Sequence, residues 1–247
     1  MIKKHIPNTI TCLNLFSGCI ALVAAFSDHL AIAAIFIGVA AVFDFFDGLS
    51  ARLFNVKSGI GKELDSLADV VSFGVVPGVI IFKLLQHNAG SFQPVILGYG
   101  VLSYIAFLIP VFSALRLAKF NLDERQTDSF IGVPTPANAM LIGSLPLILW
   151  QMGCACSGVF LHIKHLINSP YFLISLTIVM SLLLVSEIPL FAMKFKSLKW
   201  KDNKIRFIFL GISLALLIIF LFIAIPLIIF LYILMSILSM KREKEVQ

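Results

Sequence analysis

The segment that decides the fold is DFFDGLSARLFNVKSGIGKELDSLAD, residues 44–69, which carries four aspartates between two strongly apolar stretches. The stretches on either side of it, residues 30–43 and 70–82, contain no charged residue. Apolar runs become membrane-spanning helices when they reach about 20 residues. We therefore expect the aspartates to lie where two membrane helices meet at the boundary between lipid and water.

The spacing of the polar residues predicts two matched helix faces. The first helix carries on one face, at i, i+3, i+4, i+7 and i+8, the residues Asp44, Asp47, Gly48, Ala51 and Arg52. The second carries on one face, at i, i+4 and i+8, the residues Gly61, Asp65 and Asp69. The connection between them, residues 53–60, is short, so the two helices should be antiparallel neighbours. The four carboxylates then surround one small volume.

Clustered carboxylates need a cationic partner, because anions near lipid are costly and repel one another. Hard oxygen ligands suit Mg²⁺ or Mn²⁺, and four carboxylates can hold a pair of such ions. Gly48 and Ala51 leave space for a substrate on the same face, and Arg52 offers a guanidinium fork for phosphate oxygens. A single interfacial aspartate would more often be a helix cap, and Arg52 alone could be a topological anchor.

The composition of the whole chain is that of a membrane protein. Of 247 residues, 60% are apolar and 13% are charged, against about 25% charged in soluble domains. We predict an all-α polytopic membrane helix bundle with about eight transmembrane helices, the last two forming a tight hairpin near Pro226. The eight apolar segments have approximate limits of 8–27, 30–50, 66–86, 94–116, 133–153, 170–193, 205–222 and 224–240.

The basic residues predict how the helices are oriented. If the N-terminus is cytoplasmic, 17 of the 19 lysines and arginines fall on the cytoplasmic side, and only Lys83 and Lys164 fall on the other. This asymmetry follows the positive-inside rule. It places both termini and the aspartates at the cytoplasmic face of the inner membrane. The basic residues form no single patch, so we expect no nucleic-acid partner.

Written as a pattern, residues 44–69 read D-x-x-D-G-x-x-A-R-x8-G-x3-D-x3-D. This pattern resembles the signature of the CDP-alcohol phosphatidyltransferase family, and every position of it is filled. The resemblance covers roughly residues 1–196, a six-helix catalytic core, and leaves residues 197–247 as an added C-terminal hairpin and basic tail. Three further segments resemble the bacterial membrane-embedded members that use serine, namely PNTITCLN (7–14), RLAKFN (116–121) and FIGVPTP (130–136).

The resemblance implies a reaction and a set of roles. CDP-diacylglycerol and L-serine would give phosphatidylserine and CMP, in a homodimer embedded in membrane lipid. Asp44, Asp47, Asp65 and Asp69 would hold two divalent cations, Mg²⁺ or Mn²⁺, and Asp69 would also act as general base. The residues that would line the CDP site are Gly48, Ala51, Arg52 and Gly61. The residues that would bind serine are Arg116, Lys119 and Asn121.

Several alternatives remain open at the level of sequence. The acceptor could be inositol phosphate or glycerol phosphate, which should require further basic groups beside the site. A divalent-cation transporter is a more remote possibility, because no carboxylates continue across the membrane. On the first helix, Asn8, Thr11 and Asn14 either face the site or only cap and pack. Arg116 and Lys119 could instead be positive-inside anchors.

Overall fold

The computed structural model describes residues 5–56, 59–88, 95–96, 98–122, 129–153, 158–191 and 200–244, which are mostly helical. Two long helices open the chain, α1 (Ile6–Phe26) and α2 (Leu30–Leu53). In the three-residue turn between them, Asp28 has a φ of 62°, a left-handed conformation that aspartate tolerates better than most residues. Because the turn is short, α1 and α2 are antiparallel neighbours.

The third span forms the centre of the bundle and is not a regular helix. It consists of α3 (Gly59–Asp69), a π-helical turn (Val70–Val75) and α4 (Val76–Asn88). Pro77 has no N–H to offer to the preceding turn, and the Val76 N–H bonds to the Val71 carbonyl, five residues back. Phe73 and Ile80 are fully buried in the hydrophobic core. The span therefore begins earlier than the predicted limits of 66–86.

The next two spans are preceded by short strands that the sequence did not predict. Their elements are β1 (Val95–Ile96), β2 (Tyr99–Gly100), a 3₁₀ helix (Val101–Phe107), α5 (Leu108–Leu122), β3 (Ser129–Ile131) and α6 (Thr135–Met152). The β1 and β2 strands pair with each other, so the predicted span 94–116 begins only at Val101. Gly132 approaches the later helix Pro170–Val185 so closely that a Cβ there would lie 2.5 Å from the Leu184 carbonyl oxygen, which requires glycine.

The predicted loop at 154–169 contains a helix, α7 (Val159–Ile167), which meets α8 (Pro170–Val185) at an angle of 66°. The predicted span 170–193 ends at Val185, because the chain then forms β4 (Pro189–Phe191), which pairs antiparallel with β3. This small sheet joins the segment before α6 to the segment after α8.

The C-terminal run forms the predicted hairpin. It contains α9 (Trp200–Phe220), a 3₁₀ turn (Leu221–Ile223) and α10 (Ala224–Lys244). The rings of Phe209 and Tyr232 lie 5.8 Å apart, so the two helices fold back on each other. Gln151 of α6 fixes the turn, because its amide nitrogen lies 3.4 Å from the Phe220 carbonyl and its oxygen accepts from the Phe222 N–H at 3.0 Å.

The all-α membrane bundle is confirmed. Among the described residues, five helices are long and apolar enough to span a membrane, or six if α7 and α8 form one bent span. The number of candidate spans is below the predicted eight for two reasons. The helix α6 is not among the candidates, and the two predicted spans of the C-terminal hairpin count as one candidate, Arg206–Ile237. Each of the eight apolar segments nevertheless corresponds to a helix. The boundary at 196/197 and seven of the basic residues lie outside the described residues: Lys3, Lys4, Lys57, Arg125, Lys194, Lys196 and Lys199.

Candidate active site

Three of the four aspartates form one compact group. Asp44 and Asp47 lie on the last turns of α2, and Asp65 lies on α3. One carboxylate oxygen from each lies within 4.8 Å of the other two. Asp47 is buried, whereas Asp44 and Asp65 are partly buried. The two helix faces therefore meet as their spacing predicted, and this group could hold a metal ion.

Asp69 stands beside this group rather than within it. It is the last residue of α3, immediately before the π-helical turn, and only 7% of it is exposed. The Asn14 amide donates to Asp69 Oδ1 at 3.2 Å. Among the described residues, Asn14 is the only hydrogen-bond donor to Asp69, so the second carboxylate oxygen remains available for another group.

The first helix forms the third wall of the site. Thr11 Oγ1 donates to Asp47 Oδ2 at 2.7 Å, and both Thr11 and Asn14 are buried. The Asn14 backbone carbonyl also accepts from Ser72 Oγ in the π-helical turn at 3.1 Å. Close packing here requires Gly18, where a Cβ would come within 2.5 Å of Ser72 Oγ. The polar residues of α1 therefore face the site instead of only packing.

An open cavity of about 550 Å³ adjoins the carboxylates. Of the predicted nucleotide-site residues, Gly48, Ala51 and Gly61 line it, and Arg52 folds back so that its Nη2 lies 3.7 Å from the Cβ position of Gly48. The lining residues that the sequence did not assign to the nucleotide or the metal are Pro7, Asn8, Thr11, Val56, Gly59 and Lys62. Lys62 comes directly after Gly61 and three residues before Asp65, and this position in the sequence could have indicated that it lies at the site.

The carboxylates have no close cationic side chain in the described part of the chain. None of the four aspartates there has a lysine, arginine or histidine nitrogen within 4.0 Å. Carboxylate oxygens in such a group are the ligands that Mg²⁺ and Mn²⁺ prefer. The donor set therefore fits a divalent metal ion.

The three predicted serine-binding residues have different positions. Arg116 is 7% exposed, donates from Nη1 to Thr135 Oγ1 at 3.4 Å and lies within electrostatic range of Asp69. Lys119 is exposed. The Asn121 amide donates to Ser66 Oγ at 2.9 Å, on a different face of α3 from the aspartates. Arg116 is thus the buried member of the three, and serine binding by all three residues stays a prediction.

Comparison with known proteins agrees with this geometry. The sequence model of the CDP-alcohol phosphatidyltransferase family matches residues 4–181. The chain is 32% identical over 211 residues to the CDP-diacylglycerol–serine O-phosphatidyltransferase of Helicobacter pylori (strain ATCC 700392 / 26695), covering 85% of this chain and 80% of that protein.

Two further relatives carry the same name. The protein of Methanocaldococcus jannaschii is 32% identical over 213 residues, with 85% of this chain and 82% of that protein covered. The protein of Bacillus subtilis (strain 168) is 35% identical over 139 residues, with 56% and 73% covered. The match to the family runs through all four aspartates and most of the chain, and this protein therefore belongs to the CDP-alcohol phosphatidyltransferase family.

Proposed function

We propose that this protein transfers the phosphatidyl group of CDP-diacylglycerol to L-serine, giving phosphatidylserine and CMP. The observation that carries the proposal is the group formed by Asp44, Asp47 and Asp65, with Asp69 beside it, at the edge of an open cavity. The names of the relatives support serine as the acceptor. An amphiphilic donor also suits the membrane boundary, where the acyl chains can remain in lipid while the nucleotide meets water.

The cavity suits the nucleotide end of the donor. Gly48 and Gly61 have no side chain beyond Cα, so the pyrophosphate can approach the backbone of both helices there. Arg52 folds over Gly48, and Lys62 lines the same cavity, so both can offer positive charge to phosphate oxygens. Lys62 Nζ is held by the Asn121 carbonyl at 2.7 Å, which fixes the direction of its side chain.

We infer that the carboxylates hold two divalent cations, Mg²⁺ or Mn²⁺. Asp44, Asp47 and Asp65 would supply the main ligands, and Asp69, which stands beside them, would share in holding the second ion. Cations held by these residues would neutralise the pyrophosphate and stabilise the negative charge that develops on the leaving CMP. Thr11 orients the Asp47 carboxylate by donating to one of its oxygens.

Asp69 is the general base in this proposal. The serine hydroxyl oxygen bonds to the phosphorus that carries the diacylglycerol group, and the bond from that phosphorus to the CMP oxygen breaks. CMP leaves with the bonding electron pair, and the hydroxyl proton passes to Asp69. Asn14 holds Oδ1 of Asp69 in place, so that the other oxygen can take the proton. General-base help of this kind contributes about 10²–10⁴-fold to the rate.

Arg116 is the group that we propose for the serine carboxylate. It is buried close to Asp69, and a guanidinium binds a carboxylate through two parallel hydrogen bonds. A serine held in this way would present its hydroxyl to Asp69. Lys119 and Asn121 would act further out, where Asn121 positions Lys62 and α3.

We also propose in which membrane the site lies and which side of that membrane it faces. The bias of the basic residues supports the inner membrane, with both termini and the aspartates at the cytoplasmic face. We further infer a catalytic core over residues 1–196, a C-terminal hairpin over residues 197–247 and a homodimer. Cysteine labelling of the 53–60 connection from the periplasmic side would contradict this orientation, and cross-linking in native membrane would test the dimer.

The deciding experiment supplies purified protein with CDP-diacylglycerol, Mg²⁺ or Mn²⁺, and one acceptor at a time. The panel contains L-serine, glycerol 3-phosphate and inositol phosphate, and the products are CMP and the new lipid. We expect CMP release with serine to exceed that with either phosphorylated acceptor by at least about 100-fold, the scale of two charge-assisted hydrogen bonds. Faster turnover with a phosphorylated acceptor would reassign the acceptor within the family, and no turnover with any acceptor would overturn the proposal.

A further inference from the structure

We propose that the acceptor occupies a pocket behind Asp69 in which Asn138 of α6 contacts the acceptor. This inference rests on the proposed function and deepens it, because it assigns acceptor recognition to a residue outside the aspartate signature.

Asn138 is the first observation that points to a ligand. Its side chain is fully buried, and within the described part of the chain neither its amide nitrogen nor its amide oxygen has a hydrogen-bond partner. Leaving such groups unpaired in the protein interior is unfavourable. A polar group that enters this place from outside the protein would satisfy both ends of the amide.

The position of Asn138 connects it with Arg116. Thr135 and Asn138 are three residues apart on α6, so they lie on one face with their Cβ atoms about 5–6 Å apart. Thr135 accepts from Arg116 Nη1. Arg116 Nε is buried and, among the described residues, lacks a hydrogen-bond partner. Two unpaired donors, Arg116 Nε and the Asn138 amide, thus lie near each other beside Asp69.

Two contacts fix the direction of Arg116. Its guanidinium lies over the ring of Phe120 at 5.8 Å. Its Nη1 donates to Thr135 Oγ1 on α6 at 3.4 Å, so the side chain is held toward the helix that carries Asn138.

The chemistry of the pocket fits a small zwitterionic alcohol. Arg116 and the Asn138 amide nitrogen would donate to a carboxylate, and the Asn138 amide oxygen would accept from an ammonium group. The hydroxyl of such a molecule would then reach Asp69. A phosphorylated acceptor carries more negative charge than this group of residues would balance. The pocket therefore selects the amino acid, whereas the cavity at Gly48 selects the nucleotide.

The test measures kcat and KM for serine and for CDP-diacylglycerol in Asn138→Leu. We expect KM for serine to rise about 10- to 100-fold, as losses of charged hydrogen bonds do. KM for CDP-diacylglycerol should stay within two-fold of the wild type. The matched control at the opposite end of the bundle is Asn88→Leu, whose amide nitrogen donates to the Leu84 carbonyl and to Asn168 Oδ1.

A second readout separates recognition from folding. Ethanolamine has the hydroxyl and the ammonium group of serine but no carboxylate, so the preference for serine over ethanolamine should fall at least ten-fold in Asn138→Leu. If the wild type makes no phosphatidylserine, the proposed function fails. If the wild type does so and Asn138→Leu keeps the wild-type KM for serine and its preference over ethanolamine, the pocket is wrong and Asn138 is satisfied by water.

Discussion

Acidic side chains are paired with basic side chains at one end of the α1–α2 pair and lack such partners, among the described residues, at the other. At the turn between the helices, Asp28 is paired with Lys83 Nζ at 2.9 Å and with His87 Nε2 at 3.3 Å. At the other end, about 24 Å along α2 from Asp28, Asp44 and Asp47 have no such partner among the described residues. At one end the charge of a single carboxylate is balanced by neighbouring basic side chains. At the other end, none of the four carboxylates has an ion-pair partner among the described residues.

This difference separates a structural acid from a functional one. The pairing of Asp28 stabilises the turn, and its charge does not need a bound ligand to balance it. The group at Asp44, Asp47 and Asp65 is unfavourable until cations arrive, so its presence is explained by what it binds. The aspartate end should therefore respond strongly to metal and to substitution, and the Asp28 end should respond weakly to both.

The largest expected effect comes from removing the metal. Chelation with EDTA should lower phosphatidylserine formation by at least about 10³-fold, because metal ions supply several kcal/mol of transition-state stabilisation. Added Mg²⁺ or Mn²⁺ should restore the rate, as measured by CMP release. Full turnover in metal-free buffer would mean that the four carboxylates have another role.

The next effect separates the base from the ligands. Asp69→Asn should lower kcat by about 10²–10⁴-fold while CDP still binds in the presence of Mg²⁺, because the amide keeps the shape but cannot take a proton. Asp44→Asn and Asp65→Asn should weaken CDP binding as well, since they lose metal ligands. Calorimetric titration with CDP measures the difference. Equal loss of CDP binding in all three variants would make Asp69 chiefly a ligand.

A smaller effect is expected where α1 supports the site. Thr11→Val removes the hydroxyl that orients Asp47 and keeps the side-chain shape, so kcat/KM should fall about 10-fold. Thr9→Val is the matched control, because the Thr9 hydroxyl donates to the His5 carbonyl within the same helix and is exposed. If the two variants have equal activity, the contact between Thr11 and Asp47 does not matter for the reaction.

The smallest effect is expected at the other end. Asp28→Asn should leave activity within two-fold of the wild type and lower Tm by at most about 2–4 °C, as for an exposed ion pair. The hydrogen bond from Lys83 lowers the pKa of the Asp28 carboxyl. The stabilisation is therefore present above the unfolded pKa and is lost as pH falls through the folded value, below about pH 4. A difference in Tm that does not shrink as pH falls below about 4 would exclude the ion pair as its cause.

The parts of the fold that follow from local spacing were predictable. The apolar runs gave the helices, and the period of 3.6 residues placed Asp44, Asp47 and Asp65 on facing surfaces. The π-helical turn after Asp69 was not predicted, since Pro77 only marks an interruption and the packing of Ser72 against α1 determines its form. The helix at 159–167 was missed because it is too short to read as a span.

The parts of the site that depend on long-range packing were not predictable. Asn138 is an ordinary polar residue in the sequence, and only its complete burial without a partner makes it notable. Gln151 docks the hairpin turn on α6, a contact across about 70 residues of sequence that no local pattern indicates.

The most direct test of the central claim is a Mn²⁺ titration of the purified protein with CDP present, followed by electron paramagnetic resonance of the free ion. We predict saturable binding in the wild type and in Asp28→Asn, and at least a ten-fold weaker affinity in Asp44→Asn and Asp65→Asn, because each loses one of the three converging carboxylates. Equal Mn²⁺ affinity in all four proteins would contradict a metal site at the α2–α3 aspartates.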